Sequence, residues 1–358
     1  MKNFLIVLVL LTALTTAFCA TPKKTIFDIA ANGNVSELQN ILKTKANVNA
    51  VDKFGITPLM FAARKNQNPE VITALIKAGA KVDGRDKSGK TALMWAAQFN
   101  RNPMVTTYLI EAGAKVNNKD KNGRTSLMHA VGHKDNLQVI ETLINAGAKV
   151  NEKDNEDRSP FMQVVNIYEN VDIIAMFIRA GARINDEDKG GFTLLMYAVA
   201  GNHNPEIIKM LINAGARVNY KNRFGDTPLM CASFNNKSEI ITMLIDAGAR
   251  ADDRDLRGLT PLMCAARANR IPDNITLLIK AGAKINDRDK AGMTPLMHAA
   301  LYNQYRDASS AVMKRLIAEG ADCKAKSNDG RTALDYIKWN PILKDSDIRR
   351  ILKEKMAE

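Results

Sequence analysis

Along residues 52–82, "DKFGITPLMFAARKNQNPEVITALIKAGAKV", apolar positions form two helical stripes separated by polar punctuation. Leu59, Ala62 and Ala63 share one face at i, i+3, i+4 spacing, and Val71, Ile72, Leu75 and Ile76 share another. Local signals bound each stripe. Thr57 predicts a helix cap and Pro58 the first helical position, where a missing N–H costs nothing. Asn68, Pro69 and Glu70 predict a second start, with the negative charge favourably placed against the helix dipole. Gly79 predicts a left-handed stop, and Asp52 with Gly55 a tight type I turn upstream. The unit therefore reads turn, helix, turn, helix.

The same unit recurs. Its opening Thr or Ser stands at Thr57, Thr91, Thr125, Ser159, Thr193, Thr227, Thr260, Thr294 and Thr332, in steps of 34 residues except for one of 33 and a last of 38. A weaker copy, "TIFDIAA", begins at Thr25. Self-similarity at a fixed period of this size marks stacked supersecondary units, because neither helix can bury its stripe alone. The expected fold class is an α-solenoid of about ten helix pairs linked by hairpin-like loops.

Asp-x-x-Gly-x-Thr-Pro-Leu-x-x-Ala-Ala, followed by an apolar helix ending in Ala-Gly-Ala, resembles the ankyrin repeat over roughly residues 25–356. The extended Asp-x-x-Gly hairpin and the Ala-Gly-Ala stop exclude tetratricopeptide repeats. The expected organisation is a signal peptide at 1–20, an N-terminal capping repeat at 21–46, an array at 47–324, and a C-terminal capping repeat and helix at 325–358. Where the ankyrin pattern usually has His after Thr-Pro-Leu, each internal copy has Met, from Met60 to Met297. These methionines are expected in the core, where packing must do more because the thioether is apolar. Asp335 stands in that slot near the C-terminus, and residues 303–309 are expected to lengthen one inter-helix turn.

The resemblance implies a scaffold that binds proteins through a concave groove lined by first helices and hairpin tips. The variable slot four residues after each opening Thr or Ser should face that groove; it holds Phe61, Trp95, His129, Gln163, Tyr197, Cys231, Cys264 and His298. Aromatic side chains outside the core have the character of interface anchors. The tip slot just before the Thr or Ser includes Lys90, Arg124, Arg158 and Phe192. The expected partner-binding residues are accordingly Phe61, Trp95, His129, Tyr197, His298, Lys90, Arg124, Arg158 and Phe192.

Charge adds to this picture. The formal net charge is +13, and the position after each Ala-Gly-Ala is Lys or Arg from Lys81 to Lys284. An unidentified protein partner with an acidic surface is expected, without nucleic acid or nucleotide, and the chain is expected to act as a monomer. The first twenty residues, "MKNFLIVLVLLTALTTAFCA", have the charged start, short apolar run and small-residue exit of a secretory signal. The run is too short for a membrane span, which takes roughly 20 apolar residues. A periplasmic or secreted location follows as an expectation, with lipid attachment at Cys19 as the alternative. A secreted effector acting on host proteins and a purely structural spacer are the other roles in view.

Chemistry finds little support. "GRDKSGKT", residues 84–91, satisfies the phosphate-loop formula, but Asp86, Gly89 and Thr91 are repeat positions, and the buried strand and long helix the loop requires are missing from the pattern. His129 and His133 have a zinc-compatible spacing without a third ligand, and read as two surface histidines. No catalytic residue, metal or cofactor is expected. Excluding Cys19, three cysteines remain, an odd number that argues for free thiols.

Overall fold

The computed structural model describes residues 24–133, 136–201, 204–234, 237–268, 271–302, 306–340, 343 and 347–358, with backbone only for 306–308. The expected signal segment at 1–20 and Cys19 lie outside them. The described residues contain twenty helices in ten consecutive pairs, and the chain divides into two compact units between Ala148 and Lys149.

The first unit holds α1 (Ile26–Asn32), α2 (Val35–Lys43), α3 (Pro58–Lys65), α4 (Pro69–Lys77), α5 (Ala92–Phe99), α6 (Pro103–Glu111), α7 (Ser126–Ala130) and α8 (Leu137–Asn145). The second holds α9 (Pro160–Ile167), α10 (Val171–Arg179), α11 (Leu194–Gly201), α12 (Pro205–Asn213), α13 (Pro228–Phe234) and α14 (Ser238–Asp246). It continues with α15 (Pro261–Ala268), α16 (Asp273–Lys280), α17 (Pro295–Tyr302), α18 (Arg306–Ala318), α19 (Ala333–Ile337) and α20 (Asp347–Ala357). Within each unit, first helices pack on the first helices of the next pair, and second helices on second. The apolar stripes close against each other: Leu59, Ala62, Val71, Ile72 and Leu75 are all fully buried.

Two polar ladders tie successive pairs together. Asn49 Nδ2 donates to the carbonyl of Gly79 at 2.9 Å, while its Oδ1 accepts from the N–H of Lys81 at 2.9 Å. Asn151, Asn185 and Asn219 repeat this double bond in the second unit. At the hairpins, backbone N–H groups donate to the preceding hairpin's carbonyl, as from Lys87 to Phe54 at 2.9 Å and from Leu256 to Phe224 at 2.9 Å. Loop backbone that would otherwise go unpaired is thereby satisfied.

Met60, Met94, Met128, Met162, Met196, Met230, Met263 and Met297 are all buried, as their helical spacing requires. Besides packing, the thioether keeps a weak version of the histidine's bond. The N–H of Thr57 meets Met60 Sδ at 3.4 Å, and that of Thr294 meets Met297 Sδ at 3.5 Å, so the thioether serves as a weak acceptor. In the terminal pairs a carboxylate does this better: Asp28 and Asp335 accept from the N–H groups of Thr25 and Thr332 at 2.9 and 3.1 Å. Each completes a reciprocal capping box.

The 303–309 segment differs from its expected role. Residues 306–309 form the opening of α18, which runs for 13 residues. They therefore extend the second helix; residues 303–305 lie outside the described set.

Candidate protein-binding face

Most hairpins are built around one carboxylate. Asp86 Oδ1 accepts from the N–H groups of Ser88 and Lys90 at 2.8 and 2.9 Å, closing the turn. Its other oxygen points at the first helix of the same pair and accepts from Trp95 Nε1 at 3.0 Å. Nine residues separate the two, and that span recurs. His129 Nε2 lies 2.9 Å from Asp120 Oδ2, Tyr197 donates its hydroxyl to Asp188 Oδ2 at 2.6 Å, and His298 Nε2 lies 2.9 Å from Asp289 Oδ2.

Where the slot holds Gln163 or Cys264, an arginine takes over. Arg158 Nη2 donates to Asp154 Oδ2 at 2.9 Å, and Arg257 Nε to Asp255 Oδ2 at 2.9 Å. The Cys231 repeat has Asn222 in place of the turn Asp, and Asn222 Nδ2 donates instead to Asp226 at 3.1 Å. The slot residue thus answers the turn residue.

This pairing corrects the expected exposure of the histidines. His129 and His298 are 5% and 3% exposed, because each imidazole reaches inward to its turn aspartate and is sealed there. His129 is also no surface histidine, whereas His133 is exposed with its ring 6.1 Å from that of Phe99. Burial, reinforced by Lys90, holds the His129 imidazole below its ordinary range against the pull of Asp120. Phe61, Trp95 and Tyr197 are half-buried. Burial and the bond to Asp188 raise the Tyr197 hydroxyl.

In the first unit the face concentrates around Trp95. Phe99 stacks on it at 5.5 Å, and the Arg64 guanidinium lies 5.1 Å from the Trp95 ring and 4.9 Å from the Phe99 ring. Lys90 Nζ sits 4.9 Å from the Trp95 ring and donates to Gln98 at 2.8 Å. Burial lowers the Lys90 ammonium against the attraction of Asp120 and Asp86. Phe61 meets Phe27 edge-on at 5.5 Å, and Arg124 is half-buried at its tip.

In the second unit Phe192 touches Tyr197 at 6.1 Å, and Arg158 is held by Asp154. Farther along that unit, Tyr302 stacks on His298 at 5.7 Å beneath Arg267, and Trp339 lies under Arg331 at 4.1 Å. Arg64, Phe99, Arg267, Tyr302 and Trp339 were not among the expected residues. The signal was present: each lies three or four positions after the slot, in the last turn of the first helix or, for Trp339, just beyond its end.

The ankyrin repeat description, in three-copy form, matches residues 26–120, 127–222, 161–255, 195–289, 239–312 and 262–357. The chain belongs to the ankyrin repeat family. No curated protein matches it. Ankyrin repeats are in general a protein–protein interaction scaffold, and they are typically non-enzymatic. In this ankyrin repeat chain, the described residues include no helix long and apolar enough to cross a membrane and no cluster of three His, Cys, Asp or Glu suited to a metal ion. The "GRDKSGKT" segment is a repeat hairpin, with Asp86 capping its turn and Arg85 donating to the carbonyls of Gly89 and Lys119.

Proposed function

We propose that this ankyrin repeat protein is an exported adaptor that binds an acidic polypeptide segment carrying an apolar anchor. The observation that carries this reading is the Arg64–Trp95–Phe99 stack with Lys90 beside it. Phe99 is 41% exposed, so aromatic surface and cationic groups lie open together. The adjacent carboxylates Asp86 and Asp120 are occupied by their turns and by Trp95 and His129. An incoming acidic side chain would therefore meet cations without competing carboxylates, and its apolar neighbour would find a ring to cover. Phe61 and Arg124 extend the face along the first helices and tips.

Export rests on the layout of residues 1–20, and the adaptor role would be played in the periplasm or outside the cell. Action on a host protein is the alternative setting for the same face.

The test pairs affinity purification from the native source with an Arg64→Glu/Phe99→Ala variant. Phe99 is exposed and Arg64 half-buried on the surface of the stack, so the fold should survive. A protein captured by the parent, released by high salt and absent with the variant supports the reading; capture unchanged by the variant sinks it. N-terminal sequencing of the protein recovered outside the cytoplasm should start after Ala17 to Ala20, whereas a chain confined to the cytoplasm with residues 1–20 intact removes the export part.

A further inference from the structure

The hairpin tips of the second unit form an edge that adjoins the first-helix face, where Phe224 meets Phe192 at 6.3 Å. Their backbone is locked in a row: Arg223 donates its N–H to Gly190 at 3.0 Å, Leu256 to Phe224 at 2.9 Å, and Lys290 to Arg257 at 3.0 Å. The turn residues Asp188, Asn222, Asp255 and Asp289 spend their side chains inward, each accepting two N–H groups of its own hairpin. Outward the tips present Lys189, Arg223, Phe224, Leu256, Arg257 and Lys290, all exposed. Phe224 is 56% and Leu256 62% exposed, on protruding turns. The other unit repeats the composition at Lys53, Phe54 and Lys87, with Phe54 57% exposed.

We propose that the tip edge of the second unit docks on an anionic phospholipid surface, with Phe224 and Leu256 entering the headgroup layer and the flanking cations meeting lipid phosphates. Phe224 leans on the Phe192 ring, yet it and Leu256 stay more than half exposed; a walled groove encloses a peptide, whereas protruding side chains such as these suit a surface that yields. Burying them in the interface is favourable by area, and neighbouring cations add attraction to anionic headgroups. From Lys189 to Ala291 the outermost tip positions carry only cations, apolar side chains, Gly190 and Ala291, with Arg257 paired to Asp255. The charge complementarity therefore selects an anionic bilayer over a zwitterionic one.

The test is co-sedimentation of the chain from Thr21 with phosphatidylcholine vesicles, with and without about 30 mol% phosphatidylglycerol, at about 0.1 M salt. The parent should bind only the anionic vesicles. Phe224→Ala/Leu256→Ala should weaken binding roughly tenfold or more, in line with two lost apolar burials. Arg223→Glu/Lys290→Glu should abolish it, and Arg64→Glu/Phe99→Ala should leave it unchanged. Circular dichroism and thermal midpoints keep misfolding from passing as lost binding. Absence of parent binding overturns the proposal, as does equal binding by parent and both tip variants. Loss confined to the charge variant overturns the insertion of the tips. Binding to polyglutamate, but not to vesicles, would mark the edge as a protein interface and overturn it as well.

Discussion

Tyr197 and Asp188, nine residues apart, are joined by a 2.6 Å hydrogen bond that ties the face of a first helix to the hairpin before it. Trp95 with Asp86, His129 with Asp120 and His298 with Asp289 are built the same way. The slot expected to serve a partner also holds the hairpin in place, so substitutions there act on folding as well as on binding.

That dual role can be measured at Tyr197. Tyr197→Phe should cost about 1–2 kcal/mol, since it strands one oxygen of a half-buried carboxylate. A double-mutant cycle with Asp188→Asn should return a coupling of about 0.5–3 kcal/mol in chemical denaturation. Strictly additive effects would mean that the bond contributes nothing.

At His129 the sign of the pH effect follows from its lowered folded value. The unfolded imidazole, near its ordinary value, holds a proton more tightly than the folded one. Between the two values the unfolded chain binds more protons, so stability rises with pH. His129 therefore stabilises fully above about pH 6.5, and this contribution is lost as pH falls through that point toward the folded value. Urea midpoints at neutral and mildly acid pH should drop further for the parent than for His129→Gln, whose amide can still donate to Asp120. Identical drops would contradict the assignment.

The C-terminal capping box offers an independent check. Bonds from Lys338 and Thr332 hold the Asp335 carboxyl at about 2. Asp335→Ala should cost about 1 kcal/mol and speed amide exchange across α19. In the parent this contribution is present above the ordinary carboxylate value and disappears as pH falls toward about 2. Unchanged exchange in α19 would show that the cap is idle.

The thiols should be silent. Burial raises Cys231 to about 12, Cys264 well above its ordinary value, and Cys323 as well. All three are free, and thiolate is the reactive form. Site-resolved alkylation at pH 8 should be at least about tenfold slower in the native chain than in denaturant. Rapid native labelling of Cys264 would contradict its burial.

Much of this molecule could be read from the letters. Thr57 with Pro58, Asn68 with Pro69, and Gly79 each act within a turn or two of chain, so their spacing announced both helices. The inward turn of His129 and His298 could not be read in this way, because burial of a slot depends on whether its side chain reaches the turn carboxylate. Helical spacing alone placed Trp95 and His129 alike, yet one is half-buried and the other sealed. The roles of Arg64 and Phe99 emerged only when neighbouring pairs stacked and brought a guanidinium over two rings.

The chain by itself determined the repeat, its caps and the face each helix buries, since these follow from propensity and periodicity over a few residues. Tertiary structure decided which slot residue bonds to which carboxylate, which cations lie on which rings, and which apolar tips stay open. Those outcomes depend on distances between backbone segments roughly nine or more positions apart, which no local pattern sets.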